Sequence, residues 1–239
     1  MGCGLRCARS PDGRSTTLPL MNRGFVSSGS GKTTVGIIDY RAGNAQSVSY
    51  ALSFLGVDNR LVKAPGDVDG IDRIILPGVG SAGTTMDYLH GAGWPQFLQE
   101  RVILHGMPFL GICVGLQVMF TRSEEQDTEC LGWLPGVVRQ FDTSDLRVPQ
   151  MGWNTVARTS SHPFSAAIPD DGYFYFVNSY YADAEVDSDI AATTEYGIRF
   201  TSAVARKNLM GTQFHIEKSG RLGLELLRRF CSVSGADLC

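Results

Sequence analysis

The stretch Pro108-Phe-Leu-Gly-Ile-Cys113-Val-Gly-Leu-Gln117 decides the fold of this chain. An apolar run enters a Gly-x-Cys-x-Gly turn, and Leu116, Met119 and Phe120 then recur at helical spacing. The pattern predicts a strand, a sharp turn and a helix, with Cys113 at the apex of the turn. Such a turn places the cysteine at the carboxyl edge of a sheet.

Cys113 is a candidate nucleophile because of where this turn would hold its sulfur. The amino terminus of the following helix favours the thiolate form, and backbone N–H groups there can bind an oxyanion. A free cysteine is more often a small buried hydrophobe, and the turn alone leaves that alternative open. The glycines on both sides favour the nucleophile, since a packing cysteine does not need them.

The composition excludes several classes of protein. The chain has 239 residues, enough for one large α/β domain, and its 43% hydrophobic and 19% charged residues are ordinary for a globular protein. No apolar run approaches the roughly 18 residues that a membrane span needs. A net charge of −3 gives no basic surface for nucleic acid, although small phosphorylated ligands and protein partners stay open. Six cysteines without zinc-ligand spacing predict no metal site and a reducing, cytoplasmic setting.

Residues 1–34 are rich in Gly, Ser, Arg and Thr and lack the apolar core of a signal peptide, so we expect a disordered or loosely ordered extension. The extension ends in Gly29-Ser-Gly-Lys-Thr-Thr34, which invites comparison with a phosphate-binding loop. Val26 stands where that loop requires its first glycine, and a strand follows where a helix is required. Nucleotide binding is therefore not favoured, and the predicted domain spans residues 35–233, with a short tail at 234–239.

Strand and helix patterns alternate after this extension. Strand patterns lie at residues 35–39, 59–63, 71–76 and 108–113, and helical patterns lie at about 45–55 and 84–104. This order predicts an α/β fold with a mainly parallel central sheet, right-handed crossovers and flanking helices. After Phe120 we expect a charged loop at 123–129, short strands that extend the sheet in antiparallel fashion, and a closing helix at 220–231.

Pro77-Gly-Val-Gly80 follows the third predicted strand directly. Bare backbone thereby lies at the carboxyl edge of the sheet, where open α/β sheets bind ligands. A plain glycine turn would give the same pattern, so this loop indicates a site only together with other residues.

His215 is the histidine best placed to act as a base. The other three fall in predicted loops or at helix ends, whereas His215 follows a strand at 209–214 and leads into Ile216 and Glu217. If the strand continues, period-two alternation puts His215 and Glu217 on one face, so the carboxylate can hold the second imidazole nitrogen. With Cys113 these residues would form an acyl-transfer triad. The alternative is a hydrogen-bonded histidine at a strand end.

Three motifs together resemble class I glutamine amidotransferases: the Cys113 turn, His215-Ile-Glu217-Lys-Ser219 and the Pro77–Gly80 loop. Four further stretches are similar to the glutaminase subunits of imidazole glycerol phosphate synthase, namely Asp39-Tyr-Arg-Ala-Gly-Asn44, Leu131-Gly-Trp-Leu-Pro-Gly136, Pro149-Gln-Met-Gly-Trp-Asn154 and Phe176-Val-Asn-Ser-Tyr-Tyr181. The resemblance covers about residues 35–233 and implies a flavodoxin-like core.

The resemblance implies a role for each matching residue. Cys113 would attack the side-chain amide of L-glutamine, His215 would protonate the departing ammonia, and Glu217 would orient His215. The backbone N–H of Val114 and, after a flip of the Pro77–Gly80 strand, that of Val79 would hold the oxyanion. The implied substrate contacts are Gly78, Gly80, Gln117, Glu125, Ser179 and Tyr180, and the implied partner contacts are Asn44, Trp153, Tyr175 and Lys218.

The resemblance also implies a partner. Ammonia would pass to a (β/α)8-barrel cyclase subunit of a heterodimer, which makes imidazole glycerol phosphate and aminoimidazole carboxamide ribotide in L-histidine biosynthesis, with no cofactor. The alternatives are the glutaminase of another amidotransferase, a stand-alone cysteine hydrolase, and a catalytically weak regulatory subunit.

Three residues depart from the family pattern. Ile216 replaces the usual proline and removes a backbone restraint on His215, but isoleucine is β-prone, so we expect the triad to survive. Asn178 and Gln150 stand where histidine is common, near the expected interface rather than the reacting atoms. These two departures therefore bear on partner coupling more than on catalysis.

Overall fold

Five parallel strands form the centre of the sheet in the computed structural model, which describes residues 33–40 and 44–233. Their spatial order is β2-β1-β3-β4-β13. The strands are β1 (Thr34–Ile38), β2 (Asp58–Val62), β3 (Arg73–Gly78), β4 (Phe109–Cys113) and β13 (Leu209–Thr212). Most of β1, β3, β4 and β13 is buried, as expected for parallel strands covered by helices on both faces. The predicted mainly parallel α/β sheet is confirmed.

Helices connect and cover these strands. They are α1 (Ala45–Phe54), α2 (Ala82–Gly91), α3 (Trp94–Leu98) with a π-helical segment at Gln99–Leu104, α4 (Val114–Gln117) and α5 (Gly220–Ser232). The first of them buries Val48 and Leu52 against the sheet. Ser81 starts α2, because its hydroxyl accepts a hydrogen bond from the Thr84 backbone N–H at 3.2 Å. Within the described residues, none of the helices is long and apolar enough to cross a membrane.

The remaining strands extend the sheet beyond β13. They are β5 (Phe120–Ser123), β6 (Thr128–Glu129), β7 (Leu134–Gln140), β8 (Gln150–Arg158), β9 (Gly172–Asn178), β10 (Tyr180–Ala184), β11 (Ile190–Tyr196) and β12 (Ile198–Arg206). The sheet continues as β12-β10-β7-β5-β6, and β11, β8 and β9 branch from β12. The pairs are antiparallel except β5 with β7, which agrees with the predicted antiparallel extension.

The segment after Cys113 differs from its prediction. The helix ends at Gln117, and Phe120 begins β5, with a second short strand inside the expected charged loop. Leu116, Met119 and Phe120 are all fully buried, so the apolar spacing is satisfied by a helical turn followed by a strand. The parallel pairing of β5 with β7 ends the helix early.

Two predicted segments fall mostly outside the described residues. The N-terminal extension is described only at residues 33 and 34, and Thr34 already belongs to β1. Residues 29–32 of the phosphate-loop-like stretch and the tail at 234–239 lie outside the described part.

Candidate active site

Cys113 occupies the apex of a strained turn between β4 and α4. Its backbone has φ 56° and ψ −110°, a region that costs a residue with a Cβ about 1–3 kcal/mol. Glycines allow α4 to lie directly on the sheet, because a Cβ on Gly115 would overlap the Leu76 carbonyl oxygen. Similarly, a Cβ on Gly111 would overlap the carbonyl oxygen of Gly115. The glycines around the cysteine are therefore required by close backbone packing, which holds the turn in its strained form.

His215 and Glu217 come together in the structure. The His215 Nδ1 lies 2.9 Å from Glu217 Oε1, and the two side chains are 2% and 0% exposed. The continuing strand on which their pairing was predicted is absent, since β13 ends at Thr212 and residues Ile216–Lys218 form a 3-10 turn. The tight turn brings the carboxylate back to the imidazole, so the pairing is present for a different geometric reason.

Hydrogen bonds hold the backbone of His215 without the usual proline. The residue is extended, with φ −80° and ψ 98°. Its N–H donates to the Tyr175 carbonyl oxygen at 2.9 Å, and its own carbonyl accepts from the Ser219 hydroxyl at 2.7 Å. Ser219 in turn accepts from the Tyr175 N–H at 3.0 Å, so β9 and the turn restrain the base together.

The imidazole of His215 also interacts with Cys113, and both residues line the same cleft. Because Nδ1 faces Glu217, Nε2 is the nitrogen left for the sulfur. Burial lowers the pKa of His215, but its interactions with Cys113 and Glu217 outweigh burial and raise that pKa to about 10. The structure therefore favours an imidazolium flanked by a sulfur and a carboxylate, which is a poised proton donor.

A cleft of about 300 Å³ opens beside Cys113 and His215. Eight of the other predicted site residues line it: Val79, Gly80, Val114, Gln117, Glu125, Ser179, Tyr180 and Lys218. Gly78 does not line it. A Cβ on Gly78 would lie 2.6 Å from the Cβ of Val114, so this glycine is required for close packing against α4.

Glu125 supplies a negative charge at the wall of the cleft. Its Oε2 accepts a hydrogen bond at 2.8 Å from the backbone N–H of Ala82, at the start of α2. The carboxylate thus lies at a helix amino terminus, where the unpaired N–H groups attract negative charge. A carboxylate so fixed can bind an ammonium group of a ligand in the cleft.

The backbone N–H of Val79 is already engaged in this structure. It interacts with the hydroxyl of Tyr40, which lies 3.3 Å from the Thr85 hydroxyl oxygen. Burial raises the pKa of Tyr40 to about 12, so the phenol is neutral. An oxyanion in the cleft would therefore compete with the Tyr40 hydroxyl for the Val79 N–H.

Gln213 is a site residue that the sequence analysis missed. It is fully buried, its Nε2 lies 3.6 Å from Cys113 Sγ, and its Oε1 accepts from Gln117 Nε2 at 3.0 Å. The signal was present, because period-two alternation places residue 213 on the same side of an extended chain as His215.

The predicted partner contacts divide into three kinds. Trp153 and Tyr175 lie on the outer face of the β8–β9 hairpin with their rings 5.9 Å apart, and Trp153 is 55% exposed. Lys218 is exposed at the mouth of the cleft. Asn44 is only 4% exposed, and its Nδ2 lies 3.3 Å from His215 Nδ1. Asn44 therefore packs against the base rather than presenting a free surface.

Gln150 and Asn178 are direct neighbours across the β8–β9 pair. Both are buried, at 3% and 5% exposure, on the face opposite to that of Trp153. The two departures from histidine thus form one buried cross-strand pair, and Asn178 also lines the cleft.

Comparisons of sequence show strong similarity to known proteins. A family model described as glutamine amidotransferase class-I matches residues 36–233. The imidazole glycerol phosphate synthase subunit HisH of Dehalococcoides mccartyi is 42% identical over 204 residues, which are 85% of this chain and 98% of that protein. The subunit HisH of Leptospira interrogans is 40% identical over 203 residues, 83% of this chain and 100% of that protein.

Comparisons of structure show the same fold in distant proteins. A crystal structure of a glutamine amidotransferase matches with a TM-score of 0.66 at 18% identity, covering 83% of this chain and 99% of that one. The structure of PurLQS from Thermotoga maritima matches with a TM-score of 0.65 at 18% identity, covering 83% of this chain and 97% of that one. At such identities these matches establish the fold alone.

Proposed function

This chain belongs to the class I glutamine amidotransferases, and within them to the HisH glutaminase subunits of imidazole glycerol phosphate synthase, and from that membership we propose the chemistry of its cleft. The protein is an enzyme of histidine biosynthesis that releases ammonia from glutamine. The observation that supports our assignment of its residues is the meeting of Cys113, His215 and Glu217 at one edge of the sheet.

The reaction begins with the thiolate of Cys113. Its sulfur attacks the side-chain amide carbon of glutamine, and a tetrahedral oxyanion forms. His215 donates its proton to the amide nitrogen, and the C–N bond breaks. Ammonia departs, and the glutamyl group remains bound to Cys113 as a thioester. Water then attacks the thioester as His215 takes the water proton, and glutamate is released. The carboxylate of Glu217 holds the imidazole in place and stabilises its charged form.

Two backbone N–H groups are the proposed oxyanion donors. Val114 is the first residue of α4, and its N–H lies where a helix amino terminus binds an anion. Val79 can contribute only after its N–H leaves the Tyr40 hydroxyl. Since one such donor is worth about 10²–10³ in rate, the resting enzyme is expected to be slow until the Pro77–Gly80 strand turns.

The cleft offers complementary groups for L-glutamine. Glu125 suits the α-ammonium group, because it is the anionic residue of the lining. Gln117, Ser179 and Tyr180 supply polar atoms around the side-chain amide, and Gly80 leaves room for the ligand because nothing lies within 4 Å of a Cβ placed there.

The outer face of the β8–β9 hairpin is the proposed dock for the (β/α)8-barrel cyclase. Met151, Trp153 and Tyr173 are 67%, 55% and 58% exposed there, an aromatic surface of the kind that protein interfaces bury. Tyr175 joins this face to the site through its carbonyl, which binds the His215 N–H. The resulting heterodimer would act as a lyase, and the free Cys113, Cys130 and Cys231 suit the reducing cytoplasm.

Glutamate release from the wild type and Cys113→Ala tests this proposal, measured alone and with the cyclase and its ligand. We expect low basal activity, strong stimulation by partner and ligand, and loss of both in Cys113→Ala. Cys130→Ala is the control, because Cys130 is outside the cleft lining.

Each alternative function predicts a different result. Unstimulated turnover would indicate a stand-alone hydrolase, and no turnover under any condition would indicate a regulatory subunit. Ammonia release by Cys113→Ala would show that the nucleophile is another group.

A further inference from the structure

A buried line of amide groups leads from the wall of the cleft to the sulfur of Cys113. The Tyr180 carbonyl accepts from Gln117 Nε2 at 3.1 Å, and the same nitrogen donates to Gln213 Oε1 at 3.0 Å. Gln213 Nε2 then lies 3.6 Å from Cys113 Sγ. We propose that Gln213 is a further catalytic residue, which donates a hydrogen bond to the thiolate of Cys113; this inference rests on the proposed role of that cysteine.

The orientation of each amide group in this line follows from which of its atoms donate and which accept hydrogen bonds. Gln117 Nε2 faces two carbonyl-type oxygens, so both of its hydrogens are used and its amide cannot be turned round. Gln213 must then present Oε1 to Gln117, which leaves its Nε2 hydrogens for the sulfur. The orientation of the donor at the thiolate is thus fixed from the cleft wall.

Strand pairing places Gln213 beside the cysteine. In the parallel pair of β4 and β13, Gly111 is opposite Gly211 and Ile112 is opposite Thr212, so the next position brings residue 213 alongside Cys113. The backbone N–H of Gln213 donates to the Ser202 carbonyl at 2.8 Å, which anchors the residue after the strand ends.

The thiol and the thiolate of Cys113 would have different hydrogen-bond partners. A neutral thiol can donate to the Val177 carbonyl, which lies 3.8 Å from Sγ. A thiolate can instead accept from Gln213 and from the imidazolium of His215. Gln213 is 0% exposed, so its hydrogen bond lies in a low-dielectric environment, where a hydrogen bond to a charged group counts for more.

Gln213→Met tests this role, because methionine matches the shape of glutamine but cannot donate a hydrogen bond. The probe is iodoacetamide, and the rate of Cys113 alkylation in the full-length protein is measured from pH 6 to 10 in the absence of glutamine. The rate measured for Cys113→Ala is subtracted as background. At pH 7 we expect alkylation about tenfold slower than in the wild type, since a hydrogen bond to a charged group is lost. At about pH 10, where thiols ionise without help, the two rates should converge. In turnover, kcat should fall while KM for glutamine changes little.

Gln150→Met is the matched control. Gln150 is also a buried carboxamide, at 3% exposure, but its Nε2 and Oε1 have no hydrogen-bond partner within the described residues. The same change of shape and polarity there should leave the alkylation profile unaltered.

Gln117→Met gives a second test if Gln213→Met fails to fold. Removal of the group that orients Gln213 should also slow alkylation at pH 7 and less so at pH 10. If the wild type and these variants have identical alkylation profiles, the role of Gln213 is overturned. The nucleophile assignment would still stand as long as Cys113→Ala is inactive. Glutamate release by Cys113→Ala would instead overturn the proposed nucleophile, so the two failures are distinguishable.

Discussion

At the scale of single residues, two glycines determine the backbone conformation of Cys113. Cys113 is held at positive φ by backbone that approaches through Gly111 and Gly115. A strained residue persists only when its surroundings hold it more strongly than the strain relaxes it. The position of the sulfur therefore depends on the space left by two missing Cβ atoms.

We expect Gly115→Ala to disable the site, because the added Cβ would overlap the Leu76 carbonyl oxygen and push α4 off the sheet. Overpacking of this kind costs about 1–3 kcal/mol of stability, and urea unfolding with glutamate release would measure both effects. Gly91→Ala is the control, since a Cβ there meets nothing within 4 Å and its φ is not positive. A Gly115→Ala enzyme of normal stability and activity would contradict the packing argument.

The raised pKa of His215 predicts how stability depends on pH. Its folded pKa of about 10 lies above its ordinary value of 6.5, so the folded state binds the proton more tightly. The stabilisation is complete below pH 6.5 and is lost as the pH rises through about 10. The free-energy difference between the wild type and His215→Gln should thus shrink from pH 7 to 10 in urea titrations. Parallel stability curves would mean that the imidazole is neutral in the fold.

At the scale of elements, the end of β3 and the residues after it form the segment that is expected to turn before an oxyanion is bound. The Tyr40 hydroxyl holds the Val79 N–H, and Thr85 of α2 holds the hydroxyl in turn. This arrangement stabilises a conformation in which the Val79 N–H, the proposed oxyanion donor, interacts with Tyr40. The cost of turning the Pro77–Gly80 strand therefore includes breaking a buried hydrogen bond.

Tyr40→Phe should raise the basal glutaminase activity severalfold, because the Val79 N–H loses its resting partner. Stimulation by the partner should shrink correspondingly, which steady-state glutamate release with and without the cyclase would show. Thr85→Val is a milder companion, since it removes the donor to the Tyr40 hydroxyl but leaves that hydroxyl with Val79. A basal rate that falls in Tyr40→Phe would mean that the hydroxyl supports the active conformation instead.

At the scale of the whole molecule, the sheet brings distant segments to one edge. In register, β4 has β3 on one side and β13 on the other, so Gly78, Cys113 and the residues after Thr212 meet there. The β8–β9 hairpin contacts the site through Tyr175, whose carbonyl accepts a hydrogen bond from the His215 N–H. A partner that binds the outer face of the hairpin would thus contact the strand that fixes His215.

Trp153→Ala should weaken binding of the cyclase about thirtyfold or more, because exposed tryptophans at the centre of an interface are common hot spots worth at least about 2 kcal/mol. Titration calorimetry of the two subunits would measure the change. Leu104→Ala is the control, since Leu104 is even more exposed, at 70% against 55%, but lies in the segment after α3. Equal losses in both variants would argue against the hairpin face as the dock.

The sequence by itself determined the α/β class, the sharp turn at Cys113 and the proposed roles of His215 and Glu217. These follow from local periodicity and from residue types that few other roles require. Only the tertiary structure decided that Gln213 reaches the sulfur, that Tyr40 occupies the Val79 N–H and that Asn44 is buried against His215. It also decided that α4 ends at Gln117, since β5 pairs with β7. Such features depend on which strands become neighbours and how closely their backbones approach, and that information is not local in the chain.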